Sequence, residues 1–236
     1  EQGLVYRQLK AVHWSIANET ALAEAELEYE EREDISVYVD FEADDADAVY
    51  DAFGLSKAEA PAADADEGEE TDDEEDPNAR PGQRPCFMIW TTTPWTLPAN
   101  LAIAVNPAFE YALVRVDGNI TVIASDLVKK VTAGAKAEEV RVIGTCKGDK
   151  LVGLKYRHPF ISPSPDFSNL NPAALPLGVR TGDLSVYRVV SADYVTLEDG
   201  TGLVHTAPGH GADDYATGLR EKLPIYCPVK GDGTYD

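Results

Sequence analysis

The sequence is poor in cysteine, in long apolar runs and in basic residues. Its three cysteines are scattered over 236 residues without a C-x-x-C pair, so neither a disulfide framework nor a cysteine zinc site is predicted. Buried free thiols in a reducing, cytoplasmic compartment are the simpler interpretation. No run approaches the roughly 18 apolar residues that span a bilayer, and no secretory signal pattern is present. We therefore expect no membrane partner. Because the sequence begins without an initiator methionine, we also expect it to be a fragment.

Acidic residues dominate the charge, with 42 acidic against 20 basic side chains and a net charge of -22. Residues 42–76 alone contain 16 of the acidic residues and one base, Lys57. Such a stretch repels itself and cannot bury apolar surface, so we expect 42–80 to be a mobile acidic insertion in a single domain spanning 1–236. A protein that binds nucleic acid unaided normally has a basic patch, and none is visible here.

Short apolar or alternating segments separated by turn signals predict a protein built mostly of strands. The run 117–119 lies between two such segments and is typical of a hairpin turn. Composition predicts a helix over 20–33 and shorter helices near 45–53, over 127–131 and from Ala212. Together these patterns predict a mainly β protein with peripheral helices (α+β), closed or nearly closed into a β-barrel. The predicted strands are 36–41, 86–91, 101–105, 111–116, 120–124, 140–146, 186–190, 194–197 and 203–206.

A run of three threonines, Thr91 to Thr93, is followed directly by Pro94. Because proline cannot continue a central strand, the backbone must leave the sheet there, and the threonine hydroxyls and amides could then face a cavity. The alternative is a β-turn with aromatic packing, since two of the three tryptophans of the chain lie in 90–100.

A second segment, 200–215, places a glycine-rich turn between a predicted strand and a predicted helix. Asp213 and Asp214 fall in the first helical turn, where the positive end of the helix favours carboxylates. His205 and His210 lie in the same segment, and histidines beside carboxylates are typical of a hydrolytic or ligand-binding site. The alternatives are helix capping by one aspartate and a loop role for His210.

Zinc ligation by His205, His210 and one of the two aspartates is a further alternative. The sequence has no H-E-x-x-H, nucleophile elbow, phosphate-binding loop or dinucleotide fingerprint. We therefore predict no metal and no cofactor for this chain.

The segments 90–100 and 200–215 together resemble the editing domain of isoleucyl-tRNA synthetases, a connective-peptide insertion in the class I aminoacyl-tRNA synthetase family. The family patterns W-T-T-T-P-W-T-L-P-A-N and G-T-G-x-V-H-x-A-P-G-H-G-x-D-D-Y occur here in order and without a substitution. Thr93 favours the isoleucyl branch, because valyl and leucyl relatives usually have arginine there. The resemblance spans most of the chain outside about 42–84. Weaker matches lie at 10–15, 23–26, 154–160 and 231–235.

The resemblance implies an aminoacyl-tRNA deacylase, a hydrolase that removes valine from mischarged tRNA(Ile) within an isoleucine–tRNA ligase. Valine lacks one methylene of isoleucine, worth only about 1–3 kcal/mol in an apolar pocket, a figure established with this very pair of amino acids. The ATP-binding signatures H-I-G-H and K-M-S-K-S are absent, so ATP and Mg would belong to the parent enzyme. The expected partners are the 3′-terminal adenosine of the tRNA and the rest of the parent synthetase. The domain itself is expected to be monomeric, with linkers at 1–16 and 225–236.

The same resemblance assigns roles to individual residues. Asp214 is expected to hold the α-ammonium of the misattached amino acid through charge-assisted hydrogen bonds. Thr91, Thr92 and Thr93 are expected to line the pocket and to position the ester and the attacking water. His205 is expected to close the amino-acid pocket and to help exclude isoleucine. The further substrate-binding candidates are Trp90, Thr96, Asn100, Asp213 and His210.

Two other functions stay open on the sequence alone. The same barrel could bind the acceptor end of the tRNA or a free amino acid without hydrolysis. A metal-dependent hydrolase using His205, His210 and Asp213 is the less favoured possibility.

Overall fold

The computed structural model describes residues 7–31, 33–55, 84–161 and 167–235. These residues form a mainly β protein with few helices, which confirms the predicted fold class. The strands are β1 Trp14–Ser15, β2 Thr20–Ala21, β3 Val37–Glu42, β4 Cys86–Thr91, β5 Ala102–Val105, β6 Glu110–Val116, β7 Asn119–Ala124, β8 Val140–Lys147, β9 Arg188–Ser191 and β10 Leu203–Thr206. The α-helices are α1 Ala46–Ala52, α2 Val128–Gly134 and α3 Ala212–Glu221, and Pro94–Ala99 is a 3₁₀-helix.

Two sheets carry most of the structure, and a β1–β2 pair forms a small third one. The larger sheet has the strand order β3-β4-β7-β6-β8, and all of its pairs are antiparallel except β4 with β7. The smaller sheet has the order β10-β5-β9, with β5 and β9 parallel. Strand β10 lies alongside β4, so the two sheets meet there. The two motif segments begin on these neighbouring strands.

The core lies between the sheets and under α1 and α2. The predicted hairpin is confirmed: β6 and β7 pair from Tyr111 opposite Ala124 to Val116 opposite Asn119, and the turn residues Asp117 and Gly118 both have positive φ. Alternating residues of β4 and all four residues of β5 are buried. Each fully buried large side chain contributes about 1.5–3 kcal/mol. The largest of these are Tyr111, Phe41, Phe87, Ile89, Leu101, Ile103, Leu113, Ile120, Ile123, Leu151, Leu203 and Leu223.

The described part of the expected acidic insertion belongs to this core. The predicted short helix near 45–53 is confirmed as α1, and Asp45 caps it by accepting a hydrogen bond from the Ala48 N–H at 3.1 Å. Val49 and Tyr50 of this helix are buried, so its acidic residues lie on the outer face of a packed element. The expected mobility of 56–80 falls outside the described residues.

Two predicted elements are wrong. In place of a helix over 20–33, the chain forms β2 and a single 3₁₀ turn at Glu24–Glu26. The segment has no buried face, and like charges one turn apart destabilise a helix that packs on nothing. Residues 194–197, predicted as a strand, form an irregular turn that leads into the second motif.

The two predicted linkers lie against each other. The Trp14 indole N–H donates a hydrogen bond to the Gly231 carbonyl at 2.8 Å, and Val229 forms an isolated bridge with Tyr235. The three cysteines are free, as predicted, but none is fully buried: Cys86 and Cys146 are half-buried, and Cys227 is exposed. Among the helices of the described residues, none has the length and apolar character needed to cross a membrane.

Candidate functional site

The threonine run begins where β4 ends. Thr91 is the last residue of β4 and is buried, whereas Thr92 and Thr93 are exposed. Pro94 then starts the 3₁₀-helix, so the backbone leaves the sheet where the proline predicted it would. The Thr93 N–H donates to the Thr91 hydroxyl at 3.1 Å, and the two hydroxyls lie 3.3 Å apart. These contacts fix Thr91 to Thr93 as a tight corner at the end of β4, called the threonine corner below.

A buried hydrogen-bond chain joins the first motif to the second. The Thr96 hydroxyl donates to the Thr93 carbonyl at 2.8 Å, and it lies 2.9 Å from Nε2 of His205 on β10. A hydroxyl has one hydrogen to donate, so the hydrogen between Thr96 and His205 must belong to Nε2. His205 is therefore held as the Nε2–H tautomer, with an unprotonated Nδ1.

Burial keeps this imidazole neutral. His205 is only 7% exposed, and burial lowers its pKa to about 4, with smaller contributions from His210 and His158. No described residue forms a hydrogen bond with its Nδ1. The imidazole therefore brings no charge to this part of the protein, and its buried Nδ1 keeps a free lone pair.

Asp214 lies in the first turn of α3 and turns back toward the end of β10. Its Oδ2 accepts a hydrogen bond from the Ala207 N–H at 3.0 Å. The carboxylate packs against Gly211, where a β-carbon would come within 3.1 Å of it. Burial raises the pKa of Asp214 to about 6; the Ala207 N–H opposes this shift and Asp213 adds to it. The carboxylate is thus poised to ionise near neutrality, and a cationic ligand would favour its ionised form.

One cavity of about 300 Å³ is lined by both motif segments. Trp90, Thr91 and Thr92 form one wall, and the second motif contributes the wall from Gly200 to Val204. His205 and Asp214 do not line this cavity directly. His205 contacts Thr96, which lies behind the threonine corner. The structure therefore places His205 next to this cavity and not on its wall.

Tyr194 connects the cavity with Asp214. Tyr194 lines the cavity, and its buried hydroxyl faces Thr206 and Thr217. Burial raises the pKa of the Tyr194 phenol, and the charge of the nearby Asp214 adds to the shift. No sequence pattern points to this residue, because the alternation over 194–197 predicts an ordinary strand.

The remaining predicted residues divide between the site and the interior. The His210 ring stacks edge-on against Trp95 with centroids 5.3 Å apart, which ties the second motif to the 3₁₀-helix. Trp90 packs over Gly200, where a β-carbon would come within 3.1 Å of the indole. Asp213 is exposed in the first turn of α3.

Asn100 is fully buried, and its side-chain amide is used inside the protein. Its Nδ2 donates to the Ala102 carbonyl at 2.9 Å, and its Oδ1 accepts from the Tyr156 hydroxyl at 2.6 Å. The arrangement makes Asn100 a structural residue that no ligand reaches.

The ligand pattern of a metal site is not assembled in the described ranges, where no three His, Cys, Asp or Glu side chains group together. Nε2 of His205 carries the hydrogen that it donates to Thr96, so this nitrogen has no lone pair for a metal.

Comparison with known families assigns the chain. The family described as tRNA synthetases class I (I, L, M and V) matches residues 1–207. The chain belongs to this family. The family predicted from the two motifs is therefore confirmed.

Individual relatives agree with this class I assignment. The isoleucine–tRNA ligase of Kosmotoga olearia is 37% identical over 235 residues, which cover all of this chain. The chain spans only 19% of the length of that relative.

Two solved structures are also similar to this chain. The P. knowlesi cytosolic leucyl-tRNA synthetase editing domain has a TM-score of 0.49 and 14% identity, covering 77% of this chain and 59% of that one. The P. falciparum counterpart has a TM-score of 0.49 and 15% identity, covering 77% and 64%.

Proposed function

We propose that this chain is the editing domain of an isoleucine–tRNA ligase and hydrolyses the ester that joins valine to the terminal adenosine of tRNA(Ile). The observation that carries the proposal is a cavity lined by both motif segments. Its volume of about 300 Å³ falls within the range of small-molecule sites and suits a nucleoside or a small aliphatic side chain. Membership of the class I family supplies the substrate class.

The substrate is cationic at one end, and Asp214 provides the matching charge. The α-ammonium of an aminoacyl ester would lie against the carboxylate and form charge-assisted hydrogen bonds. Since the carboxylate already accepts the Ala207 N–H, one oxygen is oriented by the protein and the other stays available. Asp214 therefore anchors the ester from beside Tyr194, which lines the cavity.

The chemical step needs water and no covalent enzyme intermediate. Water adds to the ester carbonyl, the bond between the acyl carbon and the ribose oxygen breaks, and a proton of the water passes to that oxygen. The products are free valine and a tRNA with an intact terminal hydroxyl. Thr91 and Thr92 have hydroxyls that are too weakly basic to remove a proton, so they orient the ester and the water.

Selection between amino acids falls to the buried side of the site. His205 and Thr96 present a neutral, rigid surface, because each is held by a hydrogen bond that fixes its orientation. Because they lie directly behind the threonine corner, they hold that wall of the cavity in place, and a wall that does not yield admits valine and resists the extra methylene of isoleucine by overpacking. The binding of tRNA phosphates is assigned to the rest of the ligase, since the chain is strongly acidic.

A deacylation assay on matched substrates tests the proposal. Purified chain is incubated with tRNA(Ile) charged with radiolabelled valine or with isoleucine, and the remaining ester is counted over time. We expect rapid loss of valine and little loss of isoleucine relative to the rate without protein. Equal, uncatalysed loss of both esters would show that the chain does not edit by itself.

A further inference from the structure

The loop that forms the far wall of the cavity is held firmly at its glycine end. The Ala124 N–H donates to the Thr201 carbonyl at 2.8 Å, and the Tyr111 hydroxyl donates to the Gly202 carbonyl at 2.8 Å. Gly202 has a φ of +77°, and a β-carbon there would come within 2.4 Å of that of Ala124. This half of the loop is therefore fixed by backbone contacts and by close packing.

The acidic end of the same loop is held by one lysine. Glu198 and Asp199 line the cavity, and both are exposed. Nζ of Lys130, on α2, donates to the Glu198 carbonyl at 2.8 Å and to Oδ1 of Asp199 at 2.6 Å. A single side chain thus spans from α2 to the mouth of the cavity.

We propose that Lys130 is a positioning residue that holds the acidic half of this loop and neutralises Asp199 where the terminal nucleotide enters. The inference rests on the proposed function. A free carboxylate at the mouth would repel the phosphates of the tRNA, so its pairing with Lys130 favours entry of the acceptor end. Because Lys130 holds both the Glu198 carbonyl and the Asp199 carboxylate, the loop keeps one orientation, in which it can contact the terminal nucleotide.

The contact is suited to substrate binding more than to stability. The side chains of Lys130 and Asp199 are 58% and 71% exposed, and ion pairs this exposed contribute little to folding. Loss of Lys130 therefore leaves the fold intact. The threonine corner and Asp214 stay in place, so the change falls on KM and not on kcat.

Steady-state deacylation of Val-tRNA(Ile) by four proteins tests the inference: wild type, Lys130→Met, Lys130→Arg and Lys129→Met. Methionine keeps the apolar stem and removes the charge and the donors. We expect Lys130→Met to raise KM roughly three- to tenfold with kcat within about twofold of wild type. Arginine can donate to the same two oxygens, so Lys130→Arg should restore most of the affinity.

Lys129 provides the matched control, because it is the neighbouring exposed lysine of α2. Lys129→Met removes the same charge from the same helix, and its KM should equal that of wild type. Two results would contradict the positioning role. Equal increases in KM for the two methionine variants would mean a general effect of charge, and an unchanged KM in Lys130→Met would mean that the contact does not affect substrate binding. A wild-type chain without deacylase activity overturns the proposed function itself, and the inference with it.

Discussion

The Nε2–H of His205 donates its hydrogen to the hydroxyl of Thr96, 2.9 Å away, and this bond joins two motifs that are more than one hundred residues apart in the chain. The direction of the bond follows from the second contact of Thr96, whose own hydrogen goes to the Thr93 carbonyl. The threonine corner and the histidine are therefore oriented together. This hydroxyl is one of the contacts that set the relative geometry of the two motifs, beside the packing of Trp95 on His210 and of Trp90 on Gly200.

Replacing Thr96 by valine should impair the site more than its small change in volume suggests. The variant leaves the buried His205 N–H without its partner, which costs about 1–3 kcal/mol of folding free energy, whereas the Thr93 carbonyl keeps the bond from the backbone N–H of residue 96. We expect kcat/KM for Val-tRNA(Ile) to fall by about tenfold or more as His205 loses its orientation. Thr96→Ser keeps the hydroxyl and should deacylate close to the wild-type rate. Wild-type activity in the valine variant would show that the bond is irrelevant to the reaction.

Removing the imidazole should relax the choice of amino acid. His205→Ala opens space behind the threonine corner, so the extra methylene of isoleucine no longer meets a rigid surface. We expect the variant to deacylate correctly charged Ile-tRNA(Ile), which the wild type spares. The measurement is the ratio of the two deacylation rates for each protein. His210→Ala, in the same motif but without a bond to Thr96, should keep the wild-type ratio; unchanged discrimination in His205→Ala would refute its role.

Asp214 should cost the protein stability at neutral pH. Its pKa is about 6 in the fold against an ordinary value of 3.8, so the folded state holds this proton more tightly than the unfolded state. The resulting stability is fully present below about pH 4 and is lost as the pH rises through about 6.

The neutral variant Asp214→Asn should avoid this loss. We expect it to exceed wild type by about 1–3 kcal/mol in the free energy of unfolding at pH 7.5, and to match wild type near pH 4. Urea denaturation of both proteins at the two pH values measures the difference. An asparagine variant that is no more stable than wild type at pH 7.5 would mean that the carboxylate is not strained by burial.

Local sequence signals predicted the elements that are set by short-range chemistry. The hairpin turn at Asp117–Gly118, the exit from the sheet at Pro94 and the helix starting at Ala212 are all found where they were expected. These features depend on turn residues, on proline and on apolar periodicity, which act within a few residues. The predicted helix over 20–33 failed because composition alone gives no partner surface on which a helix packs.

The geometry of the site depends on long-range contacts that the sequence does not display. Both Thr96 and His205 belong to the motifs, but only the packing of β10 beside β4 brings them within hydrogen-bonding distance. Asn100 belongs to the first motif, yet its amide is used by Ala102 and Tyr156. Tyr194 and Lys130 lie outside both motifs, and they take part because of where an irregular turn and α2 lie in space.

The most direct test of the account compares the two adjacent aspartates of α3. Single-turnover deacylation of Val-tRNA(Ile) is measured for wild type, Asp214→Ala and Asp213→Ala. Asp214 is turned toward the Ala207 N–H and Tyr194, whereas Asp213 is exposed. We predict that Asp214→Ala keeps its fold and that its rate of deacylation falls at least about a hundredfold. The rate of Asp213→Ala should stay within about threefold of wild type. Wild-type deacylation by Asp214→Ala would contradict the anchoring of the aminoacyl ester by this carboxylate.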